Sequence, residues 1–232
     1  NDFRKGFDSL KFLNMYACNL QSLPESIGNL KSLVSLKAPK NQIKTLPESI
    51  GKLDSLIGLI LYKNDIEVLP KQLFSLKNLI HLDIYYNKVK EIPEEIEQME
   101  SLEEVYFSFN QIEKLPNSMA KLPIKYLYLH DNLLTSIPDS FGQLSNLEFL
   151  HLHSNRLTNL PDWIYDFTKL KEFTLSYNPL TSVSEKVLDM PNLSLFEATS
   201  LSGIEEDTTE YEALQQILAQ LKEKGVNVFQ NK

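Results

Sequence analysis

The stretch that decides the fold is LIGLILYKNDIEVLP, which spans residues 56–70. Apolar side chains hold its first, fourth, sixth, eleventh and fourteenth places, while Asn64 holds the ninth and Pro70 the fifteenth. The same order returns every 23 residues, except that the step to Ile124 is one residue shorter. The repeats begin at Leu10, Leu33, Leu56, Leu79, Leu102, Ile124, Leu147, Leu170 and, with a weaker match, Leu193. A fixed period of this length indicates an array of stacked repeats.

This order, LxxLxLxxNxLxxLP, resembles the leucine-rich-repeat family, and specifically its 23-residue LPxxIxxL class, which occurs in intracellular signalling scaffolds and bacterial leucine-rich-repeat proteins. The resemblance covers roughly residues 10–200. It implies an α/β repeat solenoid, a curved leucine-rich-repeat horseshoe with a parallel sheet on its concave face. Extended or 3₁₀ segments would form the convex face, and a C-terminal helix would cap the stack. A fold of this kind implies that something binds, but it does not say what.

The residues of each repeat support the same architecture. Apolar residues at places four and six alternate with polar or aromatic residues at places three, five and seven, which predicts a short strand that is buried on one side. Place nine is asparagine in seven repeats and Cys18 in the first. The asparagine amide is predicted to satisfy buried backbone groups that have no partner in the sheet. Proline at place fifteen fixes φ and predicts an extended or 3₁₀ return segment.

The chain is predicted to have three parts. Residues 1–9 are either a partial repeat or an N-terminal cap, residues 10–200 are the repeat array, and residues 201–232 are a C-terminal cap with an amphipathic helix. Thr209 and Glu212 have the spacing of a capping box at the start of this helix. Gly225 is predicted to end the helix, and a short strand or an extended tail is predicted for residues 226–229.

Composition narrows the range of partners and compartments. The formal net charge is −8, which argues against nucleic acid and anionic membranes as partners. No run of about 18 apolar residues is present, so membrane insertion is not expected. Cys18 is the only cysteine, which excludes an intrachain disulfide and leaves the redox compartment open. A soluble secreted protein and a soluble cytoplasmic protein both fit, since a signal segment ahead of Asn1 could have been removed.

The sequence contains no recognisable enzyme motif. GxSxG, GxxxxGK[ST], GxGxxG and HExxH are all absent, and seven glycines leave little material for a phosphate-binding loop. Paired carboxylates such as Glu94 and Glu95 fall on a return segment, where no base or pocket is predicted beside them. We therefore expect a non-catalytic protein.

The concave face is predicted to carry residues that the core does not need. Places three, five, seven and eight point there, and six of the ten tyrosines fall on the first three of these places. Tyrosine offers a large amphipathic surface with few rotatable bonds, which favours protein binding. The predicted contact residues for a protein partner are Tyr62, Tyr85, Tyr106, Tyr126, Tyr128, Phe149, Lys37, Lys63, Asp83 and Glu104. Because the lysines precede the acidic residues along the stack, we expect a bipolar face that orients its partner. The alternative is that strand propensity alone enriches tyrosine here.

Three histidines form a second cluster in the late repeats. His151 and His153 lie two residues apart on one predicted strand, and His130 holds place seven of the preceding repeat, opposite His153. Because neighbouring strands lie about 4.8 Å apart, the three imidazoles could reach one zinc ion. The fourth ligand would come from a second copy of the chain in a zinc-bridged homodimer. The alternative is that the rings are contact residues and that no cofactor is bound.

Overall fold

The computed structural model describes residues 7–229, which form one curved sheet of ten parallel strands with return segments between them. The strands pair in chain order, so each repeat adds one strand beside the previous one. Strands β1–β10 are Phe12–Asn14, Ser35–Lys37, Gly58–Ile60, His81–Asp83, Glu104–Tyr106, Tyr126–Tyr128, Phe149–His151, Glu172–Thr174, Leu195–Glu197 and Asn227–Phe229. The predicted solenoid with a parallel concave sheet is confirmed. Of the predicted N-terminal part, residues 1–6 lie outside the described range.

The middle residue of each strand packs toward the core. Leu36, Leu59 and Leu82 lie opposite one another in the register of β2, β3 and β4, and all three are fully buried. The residues on either side of them, at places three and five, point to the concave face because side chains alternate along a strand. The fold therefore needs one residue of each strand for its core and leaves two free for other purposes.

Each of the eight return segments between β1 and β9 contains one short 3₁₀ helix on the convex side. These helices are Glu25–Asn29, Glu48–Lys52, Lys71–Ser75, Glu94–Gln98, Asn117–Lys121, Asp139–Gln143, Asp162–Asp166 and Glu185–Asp189. Proline precedes the first seven with φ between −77° and −60°. Its carbonyl accepts the N–H of the third residue along, as Pro24 does from Ile27 at 2.9 Å. The predicted 3₁₀ return is confirmed because proline presets φ for this turn.

The asparagines at place nine form a column of buried hydrogen bonds, which we call the asparagine ladder. Its members are Asn41, Asn64, Asn87, Asn110, Asn132, Asn155 and Asn178. In Asn110, Oδ1 accepts the N–H of Val89 at 3.0 Å, and Nδ2 donates to the carbonyls of Ile84 and Phe107, each also at 3.0 Å. The other six bond across their repeat boundary in the same manner. The predicted structural role of these residues is confirmed.

The residue at place eight, just before the asparagine in seven of the repeats, has a left-handed backbone conformation that the sequence pattern did not predict. From Ala17 to Ser200, place eight has φ between 51° and 58° in all nine repeats, although none of these residues is glycine. A left-handed residue turns the chain sharply. The following asparagine can then enter the core while the preceding side chain stays at the edge of the concave face. Tyr86 and Phe109 are held at that edge in this way.

The C-terminal segment covers the last repeat. Helix α1, Thr209–Glu223, contacts the last 3₁₀ helix, and strand β10 pairs in parallel with β9. The side chains that α1 buries are Leu214, Ile217, Leu218 and Leu221. The helix thus packs its apolar side chains on the core, and β10 occupies the edge of β9, which is consistent with the expected C-terminal cap.

The start of α1 differs by one residue from the prediction. Thr208 is the capping residue, with extended backbone angles, and its hydroxyl accepts the N–H of Tyr211 at 3.2 Å. Thr209 is already helical, so the predicted capping box of Thr209 and Glu212 is wrong. Gly225, with φ of 83°, follows the helix and ends it as predicted. Within residues 7–229, no helix combines the length and the apolar character needed to cross a bilayer.

Candidate interaction surface on the concave face

The strand register arranges the concave side chains in rows that run across the sheet. The row at place three on β4–β8 is His81, Glu104, Tyr126, Phe149 and Glu172. The row at place five on β4–β7 is Asp83, Tyr106, Tyr128 and His151. Six of the ten predicted contact residues therefore lie on four adjacent strands.

Ring stacks connect neighbouring strands within these rows. The rings of Tyr106 and Tyr128 lie 4.8 Å apart between centroids with planes 8° apart, and those of Tyr126 and Phe149 lie 4.7 Å apart with planes 16° apart. His151 meets Tyr128 in an edge-on contact at 4.5 Å. Aromatic pairs of this geometry stabilise each other by about 0.5–1.5 kcal/mol. The rings therefore hold one another in position without a partner.

A second aromatic group stands where strands β4 and β5 end. Tyr85 lies edge-on to Phe109 at 5.2 Å, and Tyr86 stacks on Phe109 at 5.4 Å. Tyr86 and Phe109 were not among the predicted contact residues, although aromatic residues at place eight of consecutive repeats were a signal for them. We call the two groups together the aromatic surface, which consists of Tyr85, Tyr86, Tyr106, Phe109, Tyr126, Tyr128 and Phe149.

The predicted lysines lie on earlier repeats. Lys37 is exposed at the end of β2, and Lys63 is exposed at the left-handed place eight that follows β3. The Lys63 ammonium lies 5.6 Å from the ring centroid of Tyr86, so this lysine adjoins one corner of the aromatic surface. Tyr62 is half-buried, and within residues 7–229 no ring contact joins it to the aromatic surface. The structure thus brings five of the six predicted aromatic residues together and leaves Tyr62 apart.

The predicted acidic residues already have partners within the sheet. A carboxylate oxygen of Glu104 lies 2.6 Å from Nδ1 of His81, and Asp83 accepts the N–H of Tyr85 at 2.9 Å. Burial raises the pKa of Asp83 above its usual value. The acidic residues of the expected bipolar face are therefore more buried than the lysines, and they already form hydrogen bonds within the sheet.

Three phenol groups of the aromatic surface, those of Tyr85, Tyr106 and Tyr128, have raised pKa values and remain protonated at neutral pH. Burial, with a smaller contribution from the Glu104 carboxylate, raises the pKa of Tyr106 to about 12. Burial also raises the pKa of Tyr85 and that of Tyr128. A protonated phenol can donate one hydrogen bond and accept others. The surface thus combines apolar rings with neutral hydrogen-bonding groups, which suits a polypeptide that offers both.

The three histidines of the predicted cluster come together beside Tyr128. The rings of His130 and His153 stack at 4.3 Å with planes 14° apart, and the ring of His151 lies 6.2 Å from each of them. One ring nitrogen of each histidine lies within 4.8 Å of the others. This arrangement could hold a metal ion.

Burial favours the neutral form of these imidazoles. It lowers the pKa of His130 to about 3, with a smaller contribution from His153 and His151. Burial also lowers the pKa of His151, against the opposing effect of Glu172, and the pKa of His153. A histidine binds metal through its neutral imidazole, so the lowered pKa values favour metal binding over protonation.

Comparisons with protein families agree with the repeat architecture. Residues 6–86 match a family model for a leucine-rich repeat region, and residues 104–157 match a second model for leucine rich repeats. No curated protein matches the sequence significantly.

Solved structures with the same fold include bacterial and plant proteins. A leucine-rich-repeat protein of Leptospira interrogans is 32% identical with a TM-score of 0.83, and the match covers 94% of this chain and 54% of that one. The chain therefore spans about half the length of that protein. The leucine-rich-repeat ectodomain of the plant membrane receptor kinase GASSHO1/SCHENGEN3 from Arabidopsis thaliana, in complex with CASPARIAN STRIP INTEGRITY FACTOR 2, is 28% identical with a TM-score of 0.69, covering 75% of this chain and 22% of that one. The plant peptide hormone receptor RGFR1, in complex with RGF2, is 26% identical with a TM-score of 0.60, covering 77% of this chain and 34% of that one.

Proposed function

Because this chain belongs to the leucine-rich-repeat family, whose members are generally non-catalytic interaction modules, we propose that it is not an enzyme and that it binds a protein partner on its concave face. The observation that carries the proposal is the aromatic surface. Its seven side chains lie at places three, five, seven and eight, whereas the core is built from other places of the repeat. An aromatic patch that the fold does not require is typical of a binding surface.

The charges and dimensions of the face favour an extended segment of the partner. Strands β2–β7 span five steps of about 4.8 Å, or about 24 Å, which matches roughly seven residues of extended chain. Exposed Lys37 and Lys63 lie at one end of this span and the aromatic surface lies at the other. A segment with an acidic end and an aromatic or aliphatic end fits this arrangement in one direction only. The plant receptor structures, which are complexes, support a polypeptide ligand for the fold.

Peptide selection tests the proposal while the natural partner is still unidentified. A random peptide library displayed on phage is selected against the intact chain, and the affinity of each selected peptide is then measured. The Tyr106→Ala, Tyr128→Ala double variant removes the central ring stack. The control is Trp163→Ala, which removes the only tryptophan, from a convex 3₁₀ helix. Circular dichroism and the thermal midpoint check that both variants are folded.

We expect most independently selected peptides to carry an acidic segment next to an aromatic or aliphatic one. Their affinity should fall by roughly tenfold or more in the double variant, as at a hot spot, and should change little in Trp163→Ala. If the peptides ignore the double variant and lose affinity in the control, the convex side is the binding surface and the proposal fails.

A further inference from the structure

We propose that His130, His151 and His153 bind one zinc ion through three imidazole ligands on the concave face, at the border of the aromatic surface. His151 is the last residue of β7, and His130 and His153 lie in the turns that follow β6 and β7. They are the one group of at least three histidine, cysteine or acidic residues within residues 7–229 whose ligand atoms are close enough for a metal. The inference does not depend on the proposed function, because a metal can be bound with or without a partner.

The ring positions require only a small adjustment. Zinc bonds to histidine nitrogen at about 2.0 Å, so two ligands of a tetrahedral site lie about 3.3 Å apart. The corresponding nitrogens are within 4.8 Å here, so the widest pair has to approach by about 1.5 Å. Because a metal lies near the plane of each ring that binds it, the stacked rings of His130 and His153 also have to tilt apart. Rotations about the side-chain bonds of half-buried residues can supply both movements.

Each imidazole has a hydrogen-bond partner on a neighbouring repeat that engages one of its two ring nitrogens. His130 Nδ1 lies 2.8 Å from the hydroxyl of Ser108, on the preceding repeat, and His153 Nδ1 lies 2.8 Å from the hydroxyl of Thr174, on the following one. His151 Nε2 lies 3.1 Å from a carboxylate oxygen of Glu172. Metal-binding histidines usually engage their second ring nitrogen in this way, which leaves the first one for the metal. These three hydrogen-bond partners support the metal site independently of the distances between the ring nitrogens.

The ligand set selects the class of metal. Three neutral imidazoles suit zinc and other late divalent transition metals and do not suit calcium or magnesium, which prefer oxygen ligands. Three protein ligands also leave one tetrahedral position for water or for a donor from a bound partner, as in zinc sites that exchange ligands. Glu172 adds a negative charge beside His151, which strengthens the imidazole as a ligand.

The experiment measures zinc binding to the full chain without a histidine tag. After treatment with a chelator, the chain is titrated with Zn²⁺ alone by calorimetry, and the bound metal is counted after gel filtration. Co²⁺ replaces Zn²⁺ in a parallel titration, because its absorption spectrum reports tetrahedral coordination. The matched control is His81→Gln, since His81 is the fourth histidine and also lies on the concave face beside a carboxylate.

We expect one zinc per chain with unchanged molecular mass, and a tetrahedral Co²⁺ spectrum. His151→Gln and His153→Gln should each weaken binding by roughly tenfold or more, and His81→Gln should not. Glu172→Gln keeps all three ligands and should still weaken binding measurably, which keeps the test valid if a histidine variant fails to fold. Its circular dichroism spectrum should be unchanged.

Three results would overturn the proposal. The first is that no zinc stays bound after gel filtration. The second is binding that is equally strong in the His151→Gln and His81→Gln variants, because carboxylates elsewhere on this acidic chain would then hold the metal. The third is half a zinc per chain with a zinc-dependent doubling of the mass, because two chains would then share each ion in a bridged homodimer.

Discussion

The asparagine ladder and the aromatic surface are neighbours in the repeat, but they are distributed differently along the chain. The ladder occupies place nine in seven successive repeats, from Asn41 to Asn178. The aromatic surface is confined to the repeats of strands β4–β7, and the same places in earlier and later repeats include lysine, serine and threonine. A residue that returns in nearly every repeat serves the stack itself. A residue type concentrated in a few repeats is free to serve a function that only those repeats have.

The contacts explain this difference physically. Asn110 accepts from the buried N–H of Val89 and donates to two buried carbonyls that it shares with the neighbouring ladder residues Asn87 and Asn132, so few other side chains can replace it. Tyr106 contacts other concave rings, which are themselves half-exposed, and none of the core depends on its hydroxyl. Stability and binding should therefore respond to different substitutions.

The largest loss of stability is expected when residues 208–232 are deleted. The deletion removes α1 with its four buried aliphatic side chains and exposes both the apolar core of the last repeat and the edge of β9. Each such side chain contributes about 1.5–3 kcal/mol when fully buried. The thermal midpoint and the solubility should fall, while peptide binding at the distant aromatic surface should survive wherever the stack does. A truncated chain that stays monomeric with an unchanged midpoint would show that the segment is not a cap.

The next largest effect is expected for Asn110→Ala. The alanine leaves the buried N–H of Val89 without its partner, and the carbonyls of Ile84 and Phe107 each lose one of the two asparagine donors that they have. The cost should be about 1–3 kcal/mol of unfolding free energy in urea. The neighbouring exposed side chain in Gln111→Ala is the control and should change stability by less than about 0.5 kcal/mol. Equal shifts in the two variants would contradict the role given to the ladder.

The period of the sequence predicted the parts of the fold that repeat. Places four, nine and fifteen could be assigned from one repeat to all the others, which predicted the strands, the ladder and the 3₁₀ returns. Features that depend on local backbone geometry were not predicted. The left-handed turn that holds Tyr86 and Phe109 at the concave edge is formed without glycine, so composition gave no sign of it. The capping of α1 by Thr208 depends on which of two adjacent threonines is extended.

The same limit applies to the candidate sites. The alternation of side chains placed Tyr106, Tyr128 and the three late histidines on one face, because the period of a strand is fixed. The partners of those histidines could not be predicted, since they lie on other repeats and depend on side-chain rotation. Ser108 beside His130 is an example, because a serine 22 residues away in the sequence has no pattern that marks it as a partner.

A third prediction concerns binding through the aromatic surface. Tyr106→Ala and Tyr128→Ala should each lower the affinity for a selected peptide by roughly tenfold or more, because each removes a ring at the centre of the aromatic surface. Each should also cost about 1 kcal/mol of stability, since the ring stack between them is lost. The control is Tyr177→Ala, an exposed tyrosine at place eight of a later repeat, outside the aromatic surface. A loss of affinity in Tyr177→Ala as large as in Tyr106→Ala would mean that binding is not centred on the aromatic surface.

The smallest effect is expected for Lys63→Glu, which changes the charge at the border of the aromatic surface without removing a ring. The exposed ammonium near Tyr86 should mainly attract the acidic end of a peptide during association. It should contribute less to holding the peptide once it is bound. The association rate should therefore fall, and it should depend less on salt, because the attraction that salt screens is gone. The dissociation rate should change by less than about threefold, as is usual for a charge at the rim of an interface.

Lys90→Glu separates this local effect from the charge of the whole molecule. Lys90 is exposed and lies outside the sheet, and either substitution changes the formal net charge by two, from −8 to −10. If long-range repulsion by the acidic chain controlled association, both variants would slow it equally. If the lysine end of the concave face orients the peptide, only Lys63→Glu slows association. Stopped-flow measurements of the association rate at two salt concentrations distinguish these outcomes. Equal rates for the two variants would show that the lysines are not part of the binding surface, which would then consist of the aromatic rings alone.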